Sequence, residues 1–345
     1  MAWIERHWYH NGPVAFGLWP LSLLYCGLSR WRRERLTRQV KRPARAVPVI
    51  VVGNISVGGT GKTPVVIWLA EYLRVHGYRP GIVSRGYGGR RIETPRQVTS
   101  NSDVREVGDE ALLIARRTGC PTWVCADRAS AMDALLRDER ISVVISDDGL
   151  QHYRMHRDIE IAMIDGARRF GNGLCLPAGP LRERPSRLEE VDFRLVSGAL
   201  ADEGEFAVEY AGDELVNLQN PLRRLRLDDL KGSVVHAVAG LGNPARFFRR
   251  LEDAGLHPTR HAFPDHHQYR REDLDFKDNL SVIMTEKDAV KCTVFANPRY
   301  WYLPVTARPD PRFAPLLLKT LKDVERGQKT ARYLGLPGHQ RPIGL

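Results

Sequence analysis

Hydrophobic and polar positions predict a buried strand followed by a helix near residue 50. The run "VPVIVV" at 47–52 is apolar and β-branched and has the length of a strand. In the run "TPVVIWLAEYLRVHG" at 63–77, apolar residues recur at helical spacing, at Val65, Val66 and Leu69, and the run ends at a glycine. We therefore expect a strand, a short connection and a helix that packs one face on the core.

The same alternation continues to about residue 165. Short apolar runs at 80–84, 121–126, 141–147 and 158–165 predict strands, and the segments "GDEALLIARRTG" and "DRASAMDALLRD" predict helices between them. Strands that alternate with helices are typical of an α/β fold with a parallel sheet covered on both faces. We expect the catalytic residues at the carboxyl ends of these strands.

A second α/β unit is predicted after a polar stretch. We expect a first domain at 46–205, a hinge or connector at 206–230 and a smaller α/β domain at 231–345. In the smaller domain, "SVVHAVAG" predicts a strand and "NPARFFRRLEDAG" a helix. The segment "GLGNP" at 240–244 joins them, and it fits a plain turn as well as it fits a ligand-binding loop.

Residues 1–45 are predicted to form a membrane-associated apolar helix with a basic flank. The segment "VAFGLWPLSLLYCGL" at 14–28 is apolar and aromatic, and one acid, Glu34, lies among the basic residues that follow: Arg30, Arg32, Arg33, Arg35, Arg38, Lys41, Arg42 and Arg45. This order suits a helix lying in an anionic membrane interface, and it reverses that of a signal peptide. A helix packed on the protein's own core and a single transmembrane span are the alternatives, although the segment is short for a span.

The overall charge changes the list of partners. The 345 residues carry a formal net charge of +11 and have a sequence pI near 9.6, which favours nucleic acid, a membrane surface or a phosphorylated substrate. The basic residues concentrate beside the apolar segment and do not alternate with stacking aromatics, so we expect an anionic membrane surface and no nucleic acid.

The cysteines add little to this picture. The five cysteines are scattered and form no C-x-x-C pair, so we expect neither a disulfide framework nor a zinc site, and a reducing cytoplasm is the simplest setting.

The connection after the first strand has the chemistry of a phosphate-binding loop. The segment "ISVGGTGKTP" supplies backbone N–H groups for phosphates, a lysine that neutralises charge and a hydroxyl for Mg²⁺, through Gly58, Gly59, Thr60, Gly61, Lys62 and Thr63. Ser56 occupies the position of the first glycine in the usual pattern. We therefore predict a P-loop NTPase-like domain that binds ATP.

Acidic and basic residues near other strand ends complete a candidate site. Asp147 and Asp148 end a core strand and are candidate ligands of Mg²⁺ beside Thr63. Asp109 at a helix start is a candidate base or a helix cap, and His266 and His267 follow a strand of the smaller domain. Arg85, Arg182 and Arg184 are candidate anion-binding residues or ordinary surface charges.

Nine motifs, in order, resemble the tetraacyldisaccharide 4′-kinases, which are lipid A 4′-kinases of Gram-negative bacteria. The motifs are "VGNISVGGTGKTP", "SRGYGG", "GDEALL", "ADR", "SDDGLQH", "PAGPLRE", "GLGNPARF", "FPDHH" and "TEKDAVK". The resemblance implies ATP-dependent phosphorylation of the 4′-hydroxyl of a tetraacylated glucosamine disaccharide 1-phosphate, giving lipid IVA. It also implies two α/β domains, a glycolipid substrate and a position at the cytoplasmic face of the inner membrane.

The resemblance also implies roles for individual residues. Asp109 matches the proposed base, His266 its partner, and Lys62 and Thr63 serve the ATP phosphates and Mg²⁺ together with Asp147 and Asp148. Glu286 and Lys287 are implied at the nucleotide. Further active-site polar positions are implied at Arg85, Glu110, Arg128, Gln151, His152, Arg182, Glu183 and Asp265. Two positions depart from the family pattern: Ala111 replaces a common proline and Leu150 a common phenylalanine.

One other function fits part of the sequence. A membrane-bound partitioning-type ATPase would need the P-loop and the acidic pair, but it would leave Asp109 and His266 without a role. Val57 also stands where those ATPases have a second lysine.

Overall fold

The computed structural model describes residues 7–10, 12–40, 46–199 and 201–328. Its helices are α1 (Pro13–Thr37), α2 (Lys62–Val75), α3 (Val104–Val107), α4 (Asp109–Thr118), α5 (Arg128–Leu135), α6 (Pro244–Asp253), α7 (Glu286–Cys292) and α8 (Phe313–Glu325). Its strands are β1 (Val49–Gly53), β2 (Pro80–Ser84), β3 (Arg96–Val98), β4 (Thr122–Val124), β5 (Val143–Asp147), β6 (Ile159–Asp165), β7 (Phe193–Ser197), β8 (Phe206–Ala211), β9 (Glu214–Asn217), β10 (Arg224–Arg226), β11 (Val234–Ala239), β12 (His257–Ala262), β13 (Val282–Thr285), β14 (Tyr300–Leu303) and β15 (Thr306–Pro309).

The predicted α/β fold class is confirmed by a nine-stranded sheet with the order β15-β8-β7-β6-β1-β5-β2-β4-β3. Its inner strands are parallel, and the edge strands β3 and β15 are antiparallel to their neighbours. Strand β1 is buried along its whole length, as expected of a parallel strand covered on both faces. The register pairs Val52 with Asp147, so the ends of β1 and β5 lie side by side.

The smaller unit has a six-stranded sheet with the order β10-β9-β14-β13-β11-β12. Its four strands β11 to β14 are parallel, and β9 and β10 are antiparallel additions. Helix α6 buries Phe247, Phe248 and Leu251 against this sheet. The two sheets meet through α4 and α7, which pack on each other.

Two stretches lie outside the unit to which the sequence assigned them. Strand β8, placed in the connector, belongs to the nine-stranded sheet, while β9 and β10 belong to the smaller one. Strand β15 and helix α8, placed in the smaller domain, return to the first sheet, where Phe313 packs on Phe193 and Phe206. The reason is burial, because Phe313, Leu317 and Leu321 of α8 are removed from water in the first core. Residues 329–345 lie outside the described residues.

Helix α1 lies against the body of the protein along one side only. Its Ser22 hydroxyl donates to the Cys175 carbonyl at 2.8 Å, and Cys26 forms a disulfide with Cys175, which the sequence did not predict. The opposite side exposes large apolar side chains: Phe16, Trp19, Leu21, Leu23, Leu24, Leu28 and Trp31. Among the helices described, none is long and apolar enough to cross a bilayer. Lys41, Arg42 and Arg45 of the predicted basic flank lie outside the described residues.

Candidate active site

The P-loop joins β1 to α2, and two of its glycines have backbone angles that favour glycine. Gly58 has φ of +102° and Gly61, which precedes α2, has φ of +81°. A Cβ on Gly61 would lie 2.0 Å from the Tyr210 hydroxyl oxygen. The loop conformation is therefore specific to glycine at this position.

Neighbouring segments hold the loop from three sides. The backbone N–H of Val57 donates to the Pro180 carbonyl at 2.8 Å, Arg168 donates to the Gly59 carbonyl at 2.6 Å, and the Tyr210 hydroxyl donates to the Gly61 carbonyl at 2.8 Å. Arg168 and Tyr210 were missed in the sequence. Arg168 follows β6, and a basic residue after a sheet strand was the only signal that could have indicated it.

Lys62 lies beside the acidic pair. Its Nζ is 3.2 Å from Oδ1 of Asp148 and 3.2 Å from Oδ1 of Asn54. The register of β1 against β5 produces this contact, since both strands end at the same edge of the sheet. Thr63 is the second residue of α2 and lies one residue further on.

The two carboxylates differ in their electrostatics. Asp147 is 1% exposed, and its burial, together with the charges of Glu110 and Asp148, raises its pKa to about 7. Burial would also raise the pKa of Asp148, but the charges of Lys62, Arg182 and Arg128 outweigh it, and the pKa lies below its usual range. Within the described part of the chain, Oδ1 of Asp147 accepts no hydrogen bond.

This acidic pair fits a magnesium ion. Mg²⁺ uses few protein ligands and takes oxygen donors from carboxylates, hydroxyls and substrate phosphates. A partnerless buried oxygen of Asp147, the adjacent Asp148 and the Thr63 hydroxyl supply such donors. Among residues 7–10, 12–40, 46–199 and 201–328, no three His, Cys, Asp or Glu side chains converge on a metal position of their own.

Asp109 and His266 form a pair across the two units. Nδ1 of His266 lies 3.0 Å from both carboxylate oxygens of Asp109, although 157 residues separate them. Asp109 is the first residue of α4 and its Oδ1 accepts from the Glu110 N–H at 2.9 Å, whereas Gly108 holds the cap position. The Gly88 loop packs on the pair, since a Cβ there would lie 2.7 Å from Nδ1 of His266.

The neighbours of the pair keep Asp109 ionised. Burial would raise its pKa, but the hydrogen bond from His266 and the charges of Lys287, His266 and Lys291 outweigh burial and lower it. An ionised Asp109 makes Nδ1 of His266 the donor in their hydrogen bond. Nζ of Lys287 lies 2.9 Å from Glu110 and 3.2 Å from Asp265, so it links the two units beside the pair.

An arginine-rich cavity opens beside Asp148. Its volume is about 650 Å³, and it extends to the basic end of α1. Its lining includes six arginines: Arg32, Arg85, Arg91, Arg128, Arg154 and Arg182. Gln151 and His152 also line it, and Gln151 donates to Glu183 at 3.0 Å. Desolvation and the charge of Arg128 outweigh the attraction of Asp127 and lower the pKa of His152 to about 4, so this histidine is neutral at pH 7.

Comparison with known proteins decides the family. A family profile described as tetraacyldisaccharide-1-P 4′-kinase matches residues 14–322. The chain belongs to this family.

Similar proteins agree with this membership. The tetraacyldisaccharide 4′-kinase of Methylobacillus flagellatus is 49% identical over 322 residues, 92% of this chain and 96% of that protein. That of Alkalilimnicola ehrlichii is 51% identical over 320 residues, 90% of this chain and 94% of that protein. A crystal structure of LpxK from Aquifex aeolicus in complex with ATP has a TM-score of 0.72 and 28% identity, covering 88% of this chain and 98% of that chain.

Two residues that the sequence suggested for the active site, Glu286 and His267, have other partners in the structure. Both carboxylate oxygens of Glu286 accept from Arg117, at 2.8 and 2.7 Å, so its contacts join α7 to α4. His267 pairs with Asp273 and not with Asp109. The departures Ala111 and Leu150 are both buried in the core.

The "GLGNP" segment lies against the P-loop. A Cβ on Gly242 would be 3.3 Å from the Gly59 nitrogen and 3.7 Å from Oδ2 of Asp265. This close approach places a loop of the smaller unit over the phosphate-binding glycines, next to the residue that precedes His266.

Proposed function

We propose that the chain catalyses its family's reaction and that Asp109 and His266 act together as the general base. In that reaction, ATP phosphorylates the 4′-hydroxyl of a tetraacylated glucosamine disaccharide 1-phosphate, a lipid A precursor. The observation that carries the proposal is that the phosphate-binding residues and the Asp109–His266 pair lie close to each other. The P-loop and acidic pair come from one sheet, and the smaller unit brings His266 onto Asp109 beside them.

The donor half of the site consists of the P-loop and the acidic pair. We assign the ATP phosphates to the backbone N–H groups of 58–61 and to Lys62. Asp147, Asp148 and Thr63 would hold Mg²⁺, which neutralises charge on the phosphates when bound. Arg168, whose guanidinium donates to the Gly59 carbonyl, adds positive charge at the same loop.

The pair takes up the proton of the attacking hydroxyl. An aspartate with a lowered pKa is a weak base for an alcohol at neutral pH. Asp109 therefore needs His266, to which it is hydrogen-bonded, to help it accept the proton of the hydroxyl. We therefore assign proton transfer to the pair as a unit. Because the two residues come from different units, closure of the cleft would assemble the base only when the sheets approach.

The acceptor half is assigned to the arginine-rich cavity. The substrate carries a 1-phosphate in addition to the hydroxyl that is phosphorylated, and arginine binds phosphate through two parallel hydrogen bonds. The inner arginines, Arg128 and Arg182, contact Asp148, while Arg32 lies on α1 at the outer side. The cavity thus runs from the donor site toward the helix with the exposed apolar face.

Helix α1 is assigned to the membrane surface. A tetraacylated substrate stays in the bilayer, and an exposed apolar face beside arginines is the arrangement of a helix that lies in an anionic interface. ATP is supplied on the cytoplasmic side, so we place the protein at the cytoplasmic face of the inner membrane. Its basic residues serve this surface and the phosphorylated substrate, and no nucleic acid is required.

The test is transfer of label from γ-labelled ATP to the tetraacylated disaccharide 1-phosphate in mixed micelles. We expect labelled glycolipid only when both substrates are present. An acceptor that already carries a 4′-phosphate is the matched control and should remain unlabelled. Label in that control, or hydrolysis of ATP without labelled lipid, would contradict the proposal.

A further inference from the structure

Lys291 is a buried cation that the proposed chemistry does not yet use. Its side chain is 1% exposed, and it lies on the inner face of α7, the helix that packs on α4. Its Nζ is 2.8 Å from Oδ1 of Asp288 and 3.7 Å from Oδ2 of Asp109. Among the described residues, this Nζ donates no hydrogen bond of good geometry. A buried charge is costly unless it is paired, and the carboxylates of Asp288 and Asp109 are the partners of this lysine.

Asp288 fixes the position of this lysine. It is fully buried, and its Oδ2 accepts from the Thr285 hydroxyl at 2.6 Å and from the Gly240 N–H at 2.9 Å. Gly240 begins the loop that reaches the P-loop, and a Cβ there would lie 2.9 Å from Oδ1 of Asp288. The Tyr269 ring covers the other side of Lys291 at 5.0 Å. The lysine therefore has one fixed position, which is directed at Asp109.

The groups that face Asp109 show why this position matters. His266 hydrogen-bonds to its carboxylate, Lys287 approaches from the solvent side with Glu110 and Asp265 as partners, and Lys291 approaches from the interior. Lys287 has two carboxylates besides Asp109 to balance it. Lys291 has Asp288 as its other carboxylate partner, and its charge adds to the larger effects of Lys287 and His266 on Asp109.

We propose that Lys291 is a positioning residue for phosphoryl transfer, which holds the Asp109 carboxylate toward His266 from behind and keeps it ionised. The inference rests on the proposed function of the pair. Its charge is one of the groups that lower the pKa of Asp109. Asp288 also accepts a hydrogen bond from Gly240, where the loop that reaches the P-loop begins. The Lys291–Asp288 contact therefore aligns Asp109 and His266 with the donor site.

The test is the pH profile of kcat/KM for Lys291→Met with the full-length protein. An opposite charge close to a carboxylate lowers its pKa by about one to three units. Because Lys287 and His266 remain beside Asp109 in the variant, we expect the acid limb of the profile to move upward by about one unit, the lower end of that range. KM for ATP should stay within about twofold. Lys322→Met, a change of the same kind at an exposed position of α8, is the control and should leave the profile unchanged.

A second variant guards against misfolding. Asp288→Asn combined with Lys291→Met removes both charges of the buried pair, which proteins often tolerate better than the loss of one. It should shift the acid limb in the same direction. A purely structural role predicts a uniform loss at every pH, and an unmoved limb in a folded variant would overturn the proposal. Wild-type protein without any transfer would instead contradict the proposed function.

Discussion

The exposed face of α1 gives a prediction about membrane binding. Phe16, Leu24 and Trp31 are 78%, 60% and 58% exposed, so together they leave about two complete side chains in water. Fully burying one such side chain contributes about 1.5–3 kcal/mol. Since an interfacial helix buries only part of its face, we expect about 2–3 kcal/mol from the three residues. Replacing all three by serine should therefore weaken binding to anionic vesicles by roughly 30- to 150-fold.

The assay is sedimentation with phosphatidylglycerol-containing vesicles, measured beside transfer to the lipid acceptor. The matched control is the serine triple variant at Val75, Leu222 and Val294, which are 83%, 91% and 88% exposed elsewhere on the protein. We expect this control to bind vesicles as the wild type does. High salt should weaken the binding of the wild type to these vesicles, because arginines beside α1 add about 1 kcal/mol each near a charged surface and salt screens this attraction. Equal loss in both triple variants, or no loss in either, would refute the assignment of this face.

Three further outcomes are expected from the donor site. Lys62→Ala should lower kcat at least about 100-fold with an unchanged melting temperature, because Lys62 acts on phosphate charge and not on the core; normal turnover would exclude the P-loop assignment. Gly61→Ala should weaken ATP binding about 5- to 30-fold by calorimetry, because a left-handed alanine that also meets Tyr210 distorts the loop that binds the phosphates. Gly77→Ala carries the same backbone strain at an uncrowded position outside the loop and should leave ATP binding unchanged. Without Mg²⁺, the melting temperature of Asp147→Asn should exceed that of the wild type by a difference that grows as the pH rises from 4 to 8. A difference in melting temperature that stays constant with pH would contradict the raised pKa of Asp147.

The sign of the Asp147 effect follows from protonation. Its pKa is about 7 in the folded protein and ordinary, near 3.8, in the unfolded chain. The folded state therefore binds more protons between these values, and the free energy of unfolding falls as the pH rises through that window. Asparagine does not titrate, so the variant escapes this loss. Added Mg²⁺ should restore the stability that the wild type loses at high pH, and it should not raise the stability of the variant.

The donor half of the site could be predicted from local sequence. Strand β1, the glycines and α2 are adjacent in the chain, and the rule that parallel strands end at one edge of a sheet brings Asp148 to Lys62. Chemistry that lies within one βα unit and its neighbouring strand is thus accessible from periodicity and spacing.

The pairing across the two units was not accessible in that way. Nothing in the spacing of Asp109 and His266 indicates contact over 157 residues. A cleft between two domains makes such a contact possible, and the family resemblance singled out this pair. Lys291 belongs to the quoted "TEKDAVK" motif, yet its burial against Asp109 depends on how α7 packs on α4. Such contacts depend on the relative position of two sheets.

The return of β15 and α8 to the first sheet was not predicted either. The strand β15 has the sequence "TARP", four residues without apolar alternation, and its pairing with β8 is antiparallel at an edge. Edge strands of this length lack a sequence signal, because only one neighbour and little burial define them. Packing of Phe313 on two distant phenylalanines decides the position.

The double-mutant cycle of Asp109 and His266 tests whether the two units form one base. Asp109→Asn keeps the shape and the contact to the Glu110 N–H but cannot take a proton, and His266→Asn tolerates the backbone φ of +59° at that position. Each variant should lower kcat for transfer from ATP to the glycolipid by roughly 10² to 10⁴. The double variant should fall little further, because paired catalytic groups are non-additive. Near-normal turnover of folded Asp109→Asn, or losses that multiply in the double variant, would contradict the account.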